Sequence, residues 1–281
     1  MNRIVTLGTK GGPAIRARGA MPTSSLLELD GRRIVIDAGL GVAKGLVEAG
    51  MDLRDLDLVF ITHLHSDHVL ELGPLLHTAW TTGLRAPVTV WGPAGTEDYW
   101  QGFLASMAFD CAIRVRDEGR VPLDRMVRLR TYAEGAVMQE GGLMVRALHV
   151  PHPPVEEAYA LRFEGSRVVT FSGDTAFHPP LAEFARGSDA LVHEAMLPEG
   201  IEAIIAKTGL GDALRQHLHA SHSTVEQAAA IARDAGVGHL VLNHLIPVDD
   251  DRFTEADWLS RVAAVWPGRT TLGRDGLEVL L

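Results

Sequence analysis

The densest group of candidate metal ligands lies in six consecutive residues, His63-Leu64-His65-Ser66-Asp67-His68. Neutral imidazole and carboxylate are ligands that zinc and similar divalent ions accept without cysteine. Alternate residues of an extended segment point the same way, so His63 and His65 can converge on one ion. Asp67 and His68 turn toward a different point where a helix begins. This one loop could therefore serve two metal ions.

Each ion needs three or four ligands, so the loop requires partners from elsewhere in the chain. Candidates stand just after segments with a strand pattern: His152, Asp174 and His244. An isolated His-x-His is more often a surface or core feature than a ligand pair. The combination of the loop with three further candidates at strand ends favours a metal centre.

The elements that must position these residues are indicated by hydrophobic patterning. A nearly continuous apolar run at 56–62 predicts a buried strand that delivers the chain to His63. Asp30-Gly31 predicts a hairpin turn, and the region 8–23 predicts a long surface loop that could border a pocket. Further strands are predicted at 3–7, 24–30, 32–37, 88–91, 143–150, 159–163, 168–172, 190–193, 239–243 and 277–281. Helices are predicted at 41–49, 67–80, 95–108, 224–234 and 255–266.

Length and composition restrict the class of protein. The chain has 281 residues, of which 46% are hydrophobic, as in an ordinary globular protein. Its formal net charge of −10 makes nucleic acid an unlikely partner by default, because an acidic chain repels phosphate backbones.

The single cysteine, Cys111, excludes an intramolecular disulfide. No apolar stretch is long enough for a membrane span or a signal-peptide core, and no long linker occurs. We therefore expect a cytoplasmic protein with no membrane partner and a single domain over residues 1–281.

Six arginines stand between Arg114 and Arg130, against only three acidic residues in the same stretch. Such a run usually forms a solvated face or a hairpin, and we expect that here. A patch for an anionic substrate is the alternative.

The His-x-His-x-Asp-His loop resembles the signature of the metallo-β-lactamase superfamily. The segments Ser172-Gly173-Asp174-Thr175, His222-Ser223-Thr224 and Leu240 to His244 resemble its ribonuclease Z and arylsulfatase-like branch. The resemblance runs from Thr6 through Pro247 and implies an α+β fold, a four-layer αβ/βα sandwich with the metals at one edge.

The resemblance also implies the role of each candidate ligand. His63, His65 and His152 would bind the first divalent ion, Asp67, His68 and His244 would bind the second, and Asp174 would bridge them. His149 competes with His152, but the segment that begins at His152 fits the third-ligand pattern better. Asp37 matches an aspartate that supports the ligand loop through hydrogen bonds. Zinc is the expected metal, with manganese and iron left open.

Two further elements resemble the ribonuclease Z catalytic pair. His222 would donate a proton to the leaving group and Glu194 would orient it, with Asp67 also essential for catalysis. Met196 departs from the pattern, because the family usually has threonine at that place. His219 could line the pocket as a rival proton donor. The remaining histidines without motif support are expected to be structural or solvated: His77, His178, His217 and His239.

The expected activity is hydrolysis of a small ester, of the phosphodiester or aryl sulfate type, by a metal-bridging hydroxide. Ribonuclease Z proper carries a long tRNA-binding arm between the third histidine and the bridging aspartate, but here that interval is only 22 positions. The alternatives are a ribonuclease Z-like tRNA 3′ endonuclease, a lactonase or β-lactamase, and a non-catalytic module that binds a ligand through its metals. A homodimer is left open.

Overall fold

The computed structural model describes residues 2–281. The elements of the first half are, in chain order, β1 (Arg3–Gly8), β2 (Ser24–Leu29), β3 (Arg32–Ile36), α1 (Val42–Glu48), β4 (Leu58–Phe60), α2 (Ser66–Val69), α3 (Leu72–Thr82), β5 (Val88–Gly92), α4 (Thr96–Ser106), α5 (Ala108–Glu118) and β6 (Val127–Thr131). Short 3₁₀ turns occur at Leu53–Asp55, Leu123–Met126 and Pro198–Gly200.

The elements of the second half follow without a long connection. They are β7 (Gly135–Glu140), β8 (Leu143–His149), β9 (Tyr159–Glu164), β10 (Val168–Phe171), α6 (Pro180–Phe184), β11 (Ala190–Met196), α7 (Ile201–Thr208), α8 (Asp212–Ser221), α9 (Val225–Ala235), β12 (Leu240–Ile246), α10 (Glu255–Val265), β13 (Thr270–Leu272) and β14 (Leu277–Leu280). Within residues 2–281, no helix is both long and apolar enough to cross a membrane.

Two mixed sheets form the centre of the molecule. The first is seven-stranded with the order β14-β1-β2-β3-β4-β5-β6, and the second is seven-stranded with the order β13-β12-β11-β10-β9-β8-β7. Strands β3, β4, β5 and β6 are mutually parallel, as are β10, β11, β12 and β13. Strand β14 comes from the end of the chain and pairs with β1, so the C-terminus completes the N-terminal sheet.

Three apolar layers hold the four structural layers together. Leu46 and Leu75 pack helices α1 and α3 against the outer face of the first sheet. Phe60 and Phe163 lie between the two sheets. Ile231 belongs to the cluster that packs helix α9 against the outer face of the second sheet. The predicted α+β four-layer sandwich is confirmed.

Local sequence explains most of the element boundaries. Asp30 and Gly31 both adopt positive φ, at 52° and 81°, as the predicted hairpin between β2 and β3 requires. Helix α9 begins with a capping box between Thr224 and Gln227 and ends at Gly236, which is left-handed.

The structure contains elements that were not predicted, among them the strands β6, β7 and β13 and the short helix α6. The helix predicted at 67–80 is divided into α2 and α3. Helix α5, at the start of the arginine-containing stretch, was not predicted, but it buries none of its residues and so agrees with the expected solvated face. Within it, Arg114 pairs with Asp110 and Glu118. Helices α7 and α8, which connect β11 to His222, were not predicted.

We predict that Phe163→Ala lowers the free energy of unfolding by about 3–5 kcal/mol. Phe163 is fully buried and packs edge-on against Phe60, with 5.2 Å between ring centroids. The control Phe109→Ala should change it by less than about 0.5 kcal/mol, because Phe109 is 81% exposed. Urea unfolding of both variants measures the difference, and equal losses would contradict this packing.

Candidate metal centre

The predicted ligands meet at one edge of the sandwich because four strands end there. His63 follows β4 in the first sheet, and His152 and Asp174 follow β8 and β10 in the second sheet. His244 lies near the end of β12, where the pairing with β11 shifts register. These three strands of the second sheet run in the same direction, so their carboxyl ends share one edge. Both sheets therefore contribute to the same group of side chains.

The predicted ligands form two clusters that share one residue. His63, His65 and His152 form the first cluster with Asp174, and Asp67, His68 and His244 form the second cluster with the same Asp174. The candidate ligand atoms of each cluster lie within 4.8 Å of one another. All of these residues except His65 are buried. The geometry thus brings together every residue that the resemblance assigned to the metals.

The first cluster has the donor arrangement of a metal site. His63 Nε2 and His152 Nε2 lie 3.1 and 3.0 Å from His65 Nδ1. Such separations are close to the roughly 3.3 Å between nitrogens around a tetrahedral zinc ion with bonds of about 2.0 Å. Burial lowers the pKa of His63 well below its usual range and that of His152 to about 4, so both rings are neutral. Neutral imidazoles with converging nitrogens fit a divalent ion.

The second cluster is organised by carboxylates. Asp174 Oδ2 lies 3.0 Å from His244 Nε2 and 3.3 Å from His68 Nε2. Asp67 Oδ2 lies 3.3 Å from His244 Nε2 and accepts a hydrogen bond of 2.7 Å from the backbone of Gly12. Gly12 belongs to the predicted loop at 8–23, which therefore does border the site.

The carboxylates of the second cluster determine its electrostatics. Burial alone would lower the pKa of both histidines. Burial is the largest single influence, but the neighbouring carboxylates together outweigh it. Asp174, Asp37 and Asp67 raise the pKa of His68 well above its usual range, and Asp174 and Asp67 raise that of His244 to about 10. Burial opposes ionisation of Asp174, yet the two imidazoles hold its pKa well below its usual range. The cluster therefore requires positive charge, which a divalent ion can supply.

Asp37 fixes the orientation of two ligands from outside the clusters. Its Oδ2 accepts a hydrogen bond of 2.8 Å from His68 Nδ1, and the Thr62 hydroxyl donates to the same carboxylate. Because that hydroxyl has one proton, it must accept the 3.1 Å contact from His63 Nδ1. Both rings therefore present Nε2 to the clusters, and Asp37 has the supporting position that the resemblance implied.

His222 and Glu194 also meet as predicted. His222 Nδ1 donates to Glu194 Oε2 at 2.9 Å, and the Thr175 backbone donates to the other carboxylate oxygen. The His222 ring stacks on that of His244, with 5.4 Å between centroids. Met196 replaces the usual threonine without entering this pair, since it packs with apolar residues beneath α8.

A cavity of about 460 Å³ opens onto the clusters. One wall is the loop at 8–23, which supplies Lys10 and Arg16, and the opposite wall is the pair α7 and α8. Lys10 pairs with Asp249 at 2.7 Å, while Lys207 donates to the backbone carbonyl of Asp249. The apolar part of the lining comes from Ile204, Leu210, Leu214, Leu218, Ile246, Pro247 and Val248.

The other histidines are placed as follows. His149 is exposed, bonds to the backbone carbonyl of Glu156 and belongs to neither cluster. His219, expected as a rival donor, is exposed and does not line the cavity. His217 does line it, with its ring centroid 6.1 Å from that of His65. The sequence contains no motif around His217, so only the packing of α8 could reveal its position.

Comparison with known proteins identifies relatives over nearly the whole chain. The family model described as "Anti-Pycsar protein Apyc1" matches residues 3–244. The ribonuclease Z of Mycobacterium sp. (strain KMS) is 34% identical over 278 residues, which cover 98% of this chain and 94% of the relative. The ribonuclease Z of Mycobacterium marinum (strain ATCC BAA-535 / M) is 33% identical over 280 residues, which cover 98% of this chain and 97% of the relative.

Solved structures share the fold. The metallo-β-lactamase fold protein YhfI from Bacillus subtilis aligns with a TM-score of 0.74 and 18% identity, covering 99% of this chain and 98% of that one. The short form of human tRNase Z aligns with a TM-score of 0.70 and 20% identity, covering 99% of this chain and 98% of that one. A diphosphatase from the PhnP family aligns with a TM-score of 0.68 and 18% identity, covering 100% of this chain and 98% of that one.

We predict that Asp37→Asn weakens metal binding about 10-fold to 100-fold. In the wild type, His68 Nδ1 donates to the Asp37 carboxylate. The amide of the variant presents a donor at this place, which favours the tautomer of His68 with its proton on Nε2. Nε2 is the atom that faces the second cluster, and once protonated it cannot bind a metal. Elemental analysis after titration with a chelator measures the loss. The control Asp30→Asn, at the opposite end of β3, should retain metal as the wild type does. Equal retention by both variants would contradict the role of Asp37.

Proposed function

We propose that this chain is a dinuclear phosphodiesterase acting on nucleotides. The premise is that the chain belongs to the family of the anti-Pycsar protein Apyc1 and is a metal-dependent hydrolase of the metallo-β-lactamase fold. The observation that carries this proposal is the pair of ligand clusters sharing Asp174 at the floor of a cavity with cationic walls. Paired metal sites of this kind serve in-line displacement at phosphorus.

Each cluster would hold one divalent ion. His63, His65 and His152 would bind the first ion and Asp67, His68 and His244 the second, with Asp174 between them. Zinc suits a set of imidazoles and carboxylates, and manganese or iron would also be accepted. When bound, the ions would activate water and polarise a phosphoryl oxygen.

The cavity walls favour an anionic substrate over a neutral lactone or β-lactam. Arg16 makes no salt bridge within residues 2–281, and Lys207 donates to a carbonyl and not to a carboxylate. Two cationic groups are thus available to a phosphate beside the clusters, although the chain as a whole has a net charge of −10. The apolar part of the wall, around Leu214 and Ile246, could pack against a nucleobase.

His222 is the proposed proton donor for the leaving oxygen. An acid needs a proton on Nε2 as well as on Nδ1, and the Glu194 carboxylate at 2.9 Å is the counter-charge for that doubly protonated ring. Thr175, which donates to Glu194 from the loop of Asp174, fixes the carboxylate relative to the clusters. Asp67 would be a ligand of the second ion and essential for catalysis, as the resemblance implied. The backbone N–H of Gly12 donates to its Oδ2 and fixes the carboxylate.

The relatives named ribonuclease Z make RNA the second candidate substrate and argue against the expectation that nucleic acid is an unlikely partner. Between His152 and Asp174 this chain has only the strands β9 and β10, with no arm. However, the Mycobacterium sp. (strain KMS) relative is covered over 94% of its length and so has little room for a long arm either. The missing arm therefore does not separate this chain from those relatives.

We predict that the metal-loaded protein hydrolyses nucleotide phosphodiesters faster than an aryl sulfate, a lactone or a β-lactam. The panel includes a precursor tRNA, a dinucleotide, a cyclic mononucleotide and an aryl phosphodiester, with the bound metal counted for each preparation. Tight binding of the precursor tRNA that weakens more steeply with salt than binding of the mononucleotide would identify RNA as the partner, because each phosphate contact releases counterions. Fewer than two ions per chain, or faster cleavage of the sulfate or lactone, would contradict the proposal.

We also predict that His222→Ala loses activity according to the leaving group. Positioned proton transfer contributes about 10²–10⁴-fold in rate, and it matters most for a poor leaving group such as an alkoxide. The variant should lose at least hundreds-fold on an alkyl phosphodiester and far less on a nitrophenyl one, while it keeps its metals. His219→Ala is the control. Equal losses on both esters would mean that His222 does not act as the acid, and loss of metal would make it a ligand.

A further inference from the structure

His217 lies in the cavity wall next to the first cluster and has no assigned role there. Its ring centroid is 6.1 Å from that of His65, 6.2 Å from that of His152 and 5.9 Å from that of His222. It contributes no atom to either ligand cluster within residues 2–281. His217 lines the cavity that opens onto the clusters, together with His65 and His222.

The hydrogen bonds around His217 determine which ring nitrogen carries the proton. The Ser221 hydroxyl donates its single proton to the backbone carbonyl of Pro153. The same oxygen lies 3.3 Å from His217 Nδ1, so it can only accept in that contact. His217 Nδ1 is therefore the donor, and in the neutral ring Nε2 carries a lone pair. The hydrogen bonds of this ring within residues 2–281 lie on the side of Ser221 and Pro153, and the ring lines the cavity, so we take Nε2 to be available as an acceptor for a group in the cavity.

An acceptor at this position selects for a donor in the substrate. The oxygens of a phosphodiester carry no proton at neutral pH and would repel the lone pair of Nε2, whereas a hydroxyl group can donate to it. The short separation of His217 from His222, whose proposed partner is the leaving oxygen, suits a hydroxyl on the carbon next to that oxygen. A ribose has such a hydroxyl at the 2′ position beside a 3′ phosphodiester, and a deoxyribose lacks it.

We propose that His217 Nε2 accepts a hydrogen bond from the 2′-hydroxyl next to the scissile bond, so that the protein selects ribonucleotide over deoxyribonucleotide phosphodiesters. This inference rests on the proposed phosphodiesterase function. His217 is then a substrate-contacting residue, and its tautomer is set by the chain of hydrogen bonds through Ser221 to Pro153. Ser221 also accepts from the ligand His152 through its backbone carbonyl, at 2.8 Å, so the selecting group and the metal ligand share one support.

The test compares uridylyl-(3′→5′)-uridine with the same dinucleotide lacking the 2′-hydroxyl beside the scissile bond. The wild type should prefer the ribonucleotide about 10-fold or more in kcat/KM, since an acceptor without its donor is costly. In His217→Ala this ratio should fall to about one, mainly through loss on the ribonucleotide. His217→Gln, which retains an acceptor oxygen, should recover part of the ratio, and His219→Ala should keep the wild-type ratio.

Metal content is measured for every variant and should equal that of the wild type. An unchanged ratio in His217→Ala, a wild type without preference, or equal losses on both dinucleotides would overturn the inference while the phosphodiesterase function stands. Loss of metal in His217→Ala would also overturn it, because His217 would then support a ligand. A wild type that cleaves no phosphodiester of the panel would overturn the proposed function itself.

Discussion

Asp174 carries a carboxylate that is 2% exposed, and within residues 2–281 no backbone or hydroxyl group donates to it; its nearest polar neighbours are imidazole nitrogens, with His244 Nε2 3.0 Å from its Oδ2. An uncompensated charge at such a position costs several kcal/mol even after relaxation, so positive charge must be supplied from outside the carboxylate. The imidazoles of both clusters lie around it, among them His68, whose buried Nε2 is 3.3 Å from Asp174 Oδ2. The buried carboxylate therefore requires both sheets to deliver their ligands to one edge.

Backbone conformation shows how closely this edge is constrained. Asp37 and His244 are not glycines, yet both have positive φ, at 62° and 43°. Such conformations cost of the order of 1–3 kcal/mol and persist only where the surroundings determine them. At Asp37 the determinants are Thr62 and His68, and at His244 they are the two carboxylates of the second cluster. Gly11 approaches the His244 ring so closely that an added Cβ would lie 2.9 Å from it.

The strand ends were predictable from sequence because ligands and strands follow local rules. An apolar run before His63 and polar residues after the later strands indicate which strand ends carry candidate ligands. The choice of His152 over His149 and the division of the ligands between two ions came from the resemblance to the metallo-β-lactamase superfamily. The cavity walls follow no such rule. Helix α8 has polar residues over most of its surface, and its register, which turns His217 inward and His219 outward, depends on how Leu218 packs beneath it with Met196 and Ile246. The position of a residue that depends on contacts distant in sequence is not contained in any short pattern.

The separation between strand ends and cavity walls has a consequence for divergence. The ligands lie in segments whose positions the two sheets determine, whereas the loop at 8–23 and the helices α7 and α8 lie outside both sheets. Insertions and substitutions in those walls can accumulate without moving Asp174 or its imidazoles. Substrate range and hydrolytic chemistry can thus be inherited separately. The same fold occurs in the human tRNase Z and in the diphosphatase described above, which agrees with such a separation.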